Sequence, residues 1–118
     1  MVVDLATREL SPGITAISLT GRLVLGNRLT DVEHGIRERI RQGLRKLVLD
    51  LSGLDFINSA GIGALAVCCG SMEREGGRVA VAGATGRVKE LLELVRLDHV
   101  AGIYPDVDSA HHSLSEAC

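Results

Sequence analysis

The stretch LVLDLSGLDFINSAGIGALAV, residues 47–67, decides the fold of this 118-residue chain. Residues 46–51 form an apolar run of the kind found in a buried central strand of a parallel sheet. We expect the strand to end near Asp50 and a short loop to carry four further residues, Asp55, Phe56, Ile57 and Asn58. Ser59 then begins a helix that ends at residues 76–77, a Gly-Gly pair. This helix is predicted to bury five residues at core spacing: Ile62, Leu65, Ala66, Cys69 and Met72.

The residues before this stretch predict a hairpin and a helix. Weak alternation over residues 2–9, a Pro-Gly turn at 12–13 and clear alternation over residues 14–19 are typical of two antiparallel strands. A helix is then expected to begin near Asn27 or Thr30 and to end at Gly43. It places four apolar residues on one face: Leu29, Val32, Ile36 and Ile40.

A basic cluster over residues 37–46 falls at the end of that helix. It has two interpretations. One is a patch for a partner. The other, which we favour, is a solvated face whose cations suit the negative end of the helix dipole.

The residues after the stretch continue the alternation of strands and helices. Strands are predicted over residues 78–82 and 102–104, and a helix between them buries Val88, Leu91, Leu92 and Val95. Asp106 or Asp108 is expected to cap a last helix with Val107, Ala110 and Leu114 facing inward. The order β-β-α-β-α-β-α-β-α predicts a single α/β domain over residues 1–118. Its mixed sheet has four to five strands, parallel at the centre and antiparallel at the N-terminal hairpin, with about four helices.

Composition excludes several functions. The 13 basic and 15 acidic residues give a net charge of −2, which offers no electrostatic attraction to nucleic acid or membranes. The only aromatic residues are Phe56 and Tyr104, so stacking platforms for single-stranded nucleic acid are lacking. No signal peptide and no apolar run of about 20 residues is visible, and the three cysteines are odd in number. We therefore expect a cytoplasmic protein without membrane insertion.

The candidate catalytic and ligand-binding patterns are weak. The four histidines show no metal-ligand spacing, and Ser59 is preceded by Ile57 and Asn58 without the first glycine of the hydrolase pattern G-x-S-x-G. Asp50 and Asp55 lack the other acids and the lysine of a phospho-accepting receiver; we expect Asp50 to bond loop amides and Asp55 to lie in a turn. We predict neither a catalytic nor a metal or cofactor site.

Gly61 and Gly63 fit a loose dinucleotide-binding pattern. The predicted loop before them is too long for it, however, and no acidic residue follows the next strand. We expect these glycines to allow close packing of the helix start, or to leave a flat surface for a partner.

Ser59 has two compatible interpretations. Serine and asparagine both cap helices well, and such a hydrogen bond contributes about 1 kcal/mol. A helix N-terminus also tolerates an added anion, so phosphorylation of Ser59 would add about −1.5 to −2 charges without unravelling the helix. On position alone we favour the cap.

The stretch around Ser59 resembles the signature of the STAS domain, the family of bacterial anti-sigma factor antagonists. In that family a strand ending in Asp-Leu and a loop precede Asp-Ser-Ser-Gly-Leu/Ile-Gly at the start of a helix. Residues 21–27 (GRLVLGN), the strand over 78–83 and the helix over 88–97 also match family counterparts. Ser59 stands at the serine that the family phosphorylates, and the resemblance reverses the preference for the cap that position alone gives. Asn58 replaces the usual acid and Ala60 the second serine, which leaves the rate of phosphorylation open.

The resemblance implies a phosphorylation-switched protein-binding module and not an enzyme. Unmodified protein would bind a GHKL-type kinase that doubles as anti-sigma factor and so release a sigma factor. Phosphorylation at Ser59 would end the complex, and a PP2C-type phosphatase would restore it. The implied partner surface comprises Asn58, Ser59, Ala60, Gly61 and Ile62 with Leu25, Gly26 and Asn27. Two alternatives stay open: a STAS subunit of a larger regulatory or transporter-associated assembly without phospho-switching, and a small-molecule or nucleotide binder at Gly61 and Gly63.

Overall fold

A computed structural model describes residues 4–24, 29–94, 96–97 and 101–116. Within these residues the predicted order of five strands and four helices is confirmed. The strands are β1 (Asp4–Ser11), β2 (Ile14–Leu23), β3 (Lys46–Ile57), β4 (Arg78–Ala82) and β5 (Gly102–Tyr104). The helices are α1 (Leu29–Arg41), α2 (Ser59–Arg74), α3 (Gly86–Leu94) and α4 (Val107–Glu116). Residues 2–3 of the predicted first strand, the predicted helix start at Asn27, and Val95 lie outside the described residues.

The five strands form one mixed sheet in the order β1-β2-β3-β4-β5. β1 and β2 pair antiparallel, as predicted for the hairpin, and the other neighbouring strands pair parallel. Each parallel crossover contains a helix, because parallel neighbours cannot be joined by a tight turn. The carboxyl ends of β2, β3 and β4 therefore lie at the same edge of the sheet, where α1, α2 and α3 begin.

Two apolar clusters cover the two faces of the sheet. On one face, strand residues such as Ile17, Leu49 and Val81 pack against the inward faces of α1, α2 and α3. On the other face, smaller residues pack against α4 alone, through Ala110 and Leu114. The sheet is thus enclosed by three helices on one side and one on the other, and the chain builds this core almost without aromatic residues.

The prediction of a loop between Asp50 and Asn58 is wrong, because β3 continues to Ile57 and pairs with an equally extended β2. Two register irregularities in this pairing, between Ser18 and Thr20 and between Gly21 and Arg22, disturb the alternation of faces. Three apolar residues spaced by three, Leu51, Leu54 and Ile57, are consequently all buried. A search for alternation misses such a strand.

The last helix is fixed to the rest of the domain by side-chain hydrogen bonds. Asp106, one of the two predicted caps, accepts the backbone N–H of Ser109 at 2.7 Å, and this bond lowers the pKa of its carboxyl group. Tyr104 Oη lies 2.6 Å from Ser113 Oγ, and Ser11 Oγ lies 2.9 Å from His111 Nε2. These contacts hold α4 against the second face of the sheet, away from the start of α2.

Among the described helices, none combines the length and apolar character needed to cross a lipid bilayer.

Candidate functional site

Asn58 caps α2, and Ser59 is its first helical residue. The Asn58 backbone is extended (φ −117°, ψ −174°), and its side-chain Oδ1 accepts the N–H of Gly61 at 3.1 Å. Its carbonyl oxygen accepts the N–H of Ile62 at 2.9 Å, which begins the helical ladder. The interpretation of Ser59 as the cap is therefore wrong: asparagine satisfies the first-turn amide and leaves the serine hydroxyl without that role.

The predicted partner cluster is unevenly exposed. Ser59 is exposed, Asn58 and Ala60 are half-buried, and Gly61 and Ile62 are buried. The described part of the cluster consequently presents the Ser59 hydroxyl to solvent with the two half-buried residues beside it. Ser59 is thus an exposed residue at the first position of the helix.

Gly61 allows the start of α2 to lie directly against the end of β2. A Cβ atom at this position would stand 2.3 Å from the carbonyl oxygen of Leu23 and 2.8 Å from Ile57 Cγ1. The Asn58 N–H also donates to the Leu23 oxygen, at 3.4 Å. The end of β2 and the start of α2 are thereby held side by side. The predicted contact residues Leu25, Gly26 and Asn27 lie outside the described residues.

Gly63 leaves an open, flat surface on α2, whereas Gly61 allows close packing. It is exposed, and a Cβ atom built there would have no neighbour within 4 Å. Farther along the same helix Ala66 and Val67 are exposed as well, so the prediction that Ala66 is a core residue is wrong. The core positions that the pattern missed are Gly61, Ala64 and Cys68. α2 thus presents small, uncharged residues to solvent beside Ser59, and its first turn contains no acidic residue.

A small polar cluster lies on β2 and β3 near the same edge of the sheet. Asp50 accepts hydrogen bonds from the Ser52 N–H (3.1 Å) and hydroxyl (2.7 Å) through Oδ1, and from the Ser18 hydroxyl (3.3 Å) through Oδ2. The expectation that Asp50 bonds a nearby amide is confirmed, although that amide belongs to the strand. Asp55 lies exposed on β3 and not in a turn. The Asp50 carboxylate is occupied in joining neighbouring strands.

The glycines Gly61 and Gly63 meet one of the two further requirements of a dinucleotide site, a short connection before the helix, and fail the other. No long loop precedes α2, since β3 reaches Ile57 and Asn58 alone separates the strand from the helix. The residues after β4, Gly83 and Ala84, still provide no acid for a ribose hydroxyl. Within the described residues, no three side chains of His, Cys, Asp or Glu come together as a metal site.

Cys68 and Cys69 are adjacent residues of α2, and both are buried in the core. Burial raises the pKa of each thiol from 9.0 to about 12, and the nearby Glu33 carboxylate adds to the rise at Cys68. Both thiols are therefore neutral near pH 8, where the thiolate is the reactive form. They fill space in the core.

Residues 6–110 match the profile of the STAS domain, so the chain belongs to the STAS domain family. No match was found among curated proteins. The similarity suggested by the residues around Ser59 is therefore confirmed at the level of the family.

Three solved structures illustrate the range of similar folds. An anti-sigma factor antagonist from Mycobacterium paratuberculosis superposes with a TM-score of 0.85 at 23% identity, covering 97% of this chain and 95% of that one. The Bacillus cell fate determinant SpoIIAA in its phosphorylated form gives 0.74 at 15% identity, covering 93% and 99%. The murine anion transporter Slc26a9 gives 0.72 at 15% identity, covering 98% of this chain but 22% of the transporter. At these identities the comparisons establish the fold.

Proposed function

We propose that this chain is an anti-sigma factor antagonist that is switched by phosphorylation of Ser59. Unmodified, it binds an anti-sigma factor of the GHKL kinase type and so releases a sigma factor. The kinase transfers a phosphoryl group from its own ATP to Ser59, and a PP2C-type phosphatase removes it. The chain acts in the cytoplasm as a binding module and catalyses no reaction itself.

The observation that carries this proposal is the exposed Ser59 hydroxyl beside a neutral cap. The Asn58 side chain already binds the Gly61 amide, so modification of Ser59 removes no hydrogen bond that we find in the helix start. The positive end of the helix dipole favours an anion at this position. The domain should therefore keep its fold when phosphorylated.

Phosphorylation of Ser59 should weaken the binding of a partner protein although it leaves the fold intact. The exposed residues of α2 near Ser59 are small and uncharged, as suits close contact with another protein. A phosphate on Ser59 would be buried without a partner charge when the complex forms. Leaving a charge unpaired in an interface costs roughly 2–5 kcal/mol, which is one to several decades in Kd. The similar fold of phosphorylated SpoIIAA supports this use of the fold.

Titration with a cognate anti-sigma factor of the GHKL kinase type tests the proposal. Ser59→Ala should bind as the unmodified protein does and keep binding after incubation with ATP, whereas Ser59→Asp should bind at least tenfold more weakly. Ser115→Asp is the matched control, because it adds the same charge at an exposed serine of α4. Equal affinities of the two aspartate variants would contradict the proposal.

The second candidate is a STAS subunit of a larger assembly without phospho-switching. This alternative is favoured by the fold shared with the transporter Slc26a9, in which the matching region is 22% of a larger chain. A stable complex whose stoichiometry does not respond to ATP would support this alternative.

A further inference from the structure

Phe56 is the one phenylalanine of the chain, and it is not part of either apolar cluster of the core. Its side chain is 39% exposed, whereas Leu54 and Ile57, its neighbours in β3, are buried. Among the described residues, the cluster under α4 includes Ile14 and Ala16 at the start of β2 but none from the end of that strand. Roughly 80 Å² of an aromatic side chain that can bury about 150–250 Å² is therefore open to solvent.

Arg22 holds the ring of Phe56 at this position. The two residues are register partners, and each is the last but one of its strand. The Arg22 Cζ lies 4.6 Å from the centre of the Phe56 ring. A guanidinium group over an aromatic ring at this distance is attracted by the negative face of the ring. The ring is thus held in one orientation, which lowers the entropy cost of burying it against another protein.

Phe56 also lies close to the start of α2. The residues that follow the stacked pair in the two strands, Leu23 and Ile57, are those against which Gly61 packs. Phe56 precedes Ser59 by three residues, so their Cα atoms are at most about 11 Å apart. A standard protein–protein interface covers about 800 Å² per partner, which corresponds to a disc of roughly 16 Å radius. An interface of that size centred on Ser59 therefore extends to Phe56.

We propose that Phe56, held by Arg22, is an apolar anchor through which the chain binds its anti-sigma factor. The occupant is the partner that docks at Ser59, so this inference rests on the proposed function. Aromatic side chains and arginine are enriched in protein interfaces, where a few buried anchors carry most of the binding energy. The partner presents an apolar pocket to the open part of the ring. Burial of that surface corresponds to about tenfold or more in Kd.

A fluorine label on the ring tests the inference directly. Biosynthetic incorporation of 4-fluorophenylalanine gives a single fluorine NMR signal, because the chain contains one phenylalanine. A cognate anti-sigma factor of the GHKL kinase type is then added together with ADP, so that Ser59 stays unmodified. The signal should shift and lose its sensitivity to solvent as the ring is buried. A signal that is unchanged in the saturated complex would overturn the inference.

Affinities of matched variants for the same anti-sigma factor provide a second test. Phe56→Ala should bind about tenfold more weakly, and Phe56→Leu should lose less because leucine keeps much of the apolar surface. Leu94→Ala is the control, since Leu94 is a 78% exposed residue at the far end of α3 and its removal should leave the affinity unchanged. All three variants should retain the native circular dichroism spectrum.

Comparison with Ser59→Asp separates the two proposals. If Phe56→Ala binds like the unaltered protein, or if Leu94→Ala loses as much affinity, the anchor is excluded, while weak binding of Ser59→Asp would still support the switch. Sedimentation of the chain by itself examines a second copy as the occupant. A dimer that dissociates in Phe56→Ala would assign the ring to self-association and would likewise overturn the inference.

Discussion

The side-chain oxygen of Asn58 lies 3.1 Å from the backbone nitrogen of Gly61 and accepts its hydrogen bond. A neutral amide therefore caps α2. The first turn of α2 contains no acidic residue, so no carboxylate of that turn offsets the positive end of the helix dipole. Asn58 thus caps the helix without placing a negative charge next to Ser59.

Replacing Asn58 tests the cap separately from the switch. Asn58→Ala should lower the free energy of unfolding by about 1 kcal/mol, because the Gly61 amide loses its acceptor. Asn58→Asp keeps an oxygen at the same position and should be at least as stable as the natural protein at neutral pH. Urea unfolding measures both, and equal stabilities of the alanine and aspartate variants would argue against the cap.

The two glycines of the first turns of α2 should respond in opposite ways to alanine. Gly61→Ala should destabilise the protein by about 1–3 kcal/mol, since its Cβ would meet the Leu23 oxygen and Ile57. Gly63→Ala, with open space around its Cβ, should stabilise it by about 0.5–1 kcal/mol through the better helix propensity of alanine. Thermal unfolding of both variants checks this difference in sign.

The buried cysteines predict a loss of stability in alkaline solution. Thiols of the unfolded chain lose protons near pH 9, whereas Cys68 and Cys69 in the folded protein keep theirs to about pH 12. The unfolded state therefore binds fewer protons between these values, and the free energy of unfolding falls as pH rises from about 9 towards 12. Urea unfolding at pH 8 and pH 10 measures the fall, and a Cys68→Val/Cys69→Val variant should show a smaller one.

A thiol reagent gives an independent check on the same cysteines. In a Cys118→Ser background, both remaining thiols should react slowly in native protein at pH 8 and rapidly in urea, because the reactive thiolate is scarce and buried. Rapid reaction of the native protein would place them nearer the surface.

The sequence predicts the fold well because most elements carry a regular pattern. The helical spacing of Val32, Ile36 and Ile40, and the apolar run of β4, correspond to structure almost residue by residue. The sequence pattern predicts too short a β3 because the pairing of β3 with β2 is irregular. Leu51, Leu54 and Ile57 recur at intervals of three, whereas the buried residues of a regular strand recur at intervals of two. The spacing indicates a strand only when the irregular pairing with β2 is known.

The sequence locates the start of α2 but does not decide which residue caps it. The residue types around Ser59 locate the start of α2, but both Asn58 and Ser59 can cap a helix, and only the backbone geometry decides between them. The two glycines are likewise equivalent in sequence. Their difference depends on Leu23, a residue of another strand that approaches Gly61 and not Gly63.

The most direct test of the switch is the location of the phosphate after incubation with the cognate kinase and ATP. Intact-mass and peptide mass spectrometry should find one phosphate, on Ser59, in the natural protein and none in Ser59→Ala. Ser52→Ala, which removes the other serine of the segment 47–67, should still be phosphorylated. A phosphate that persists in Ser59→Ala, or no phosphate on the natural protein, would contradict the account.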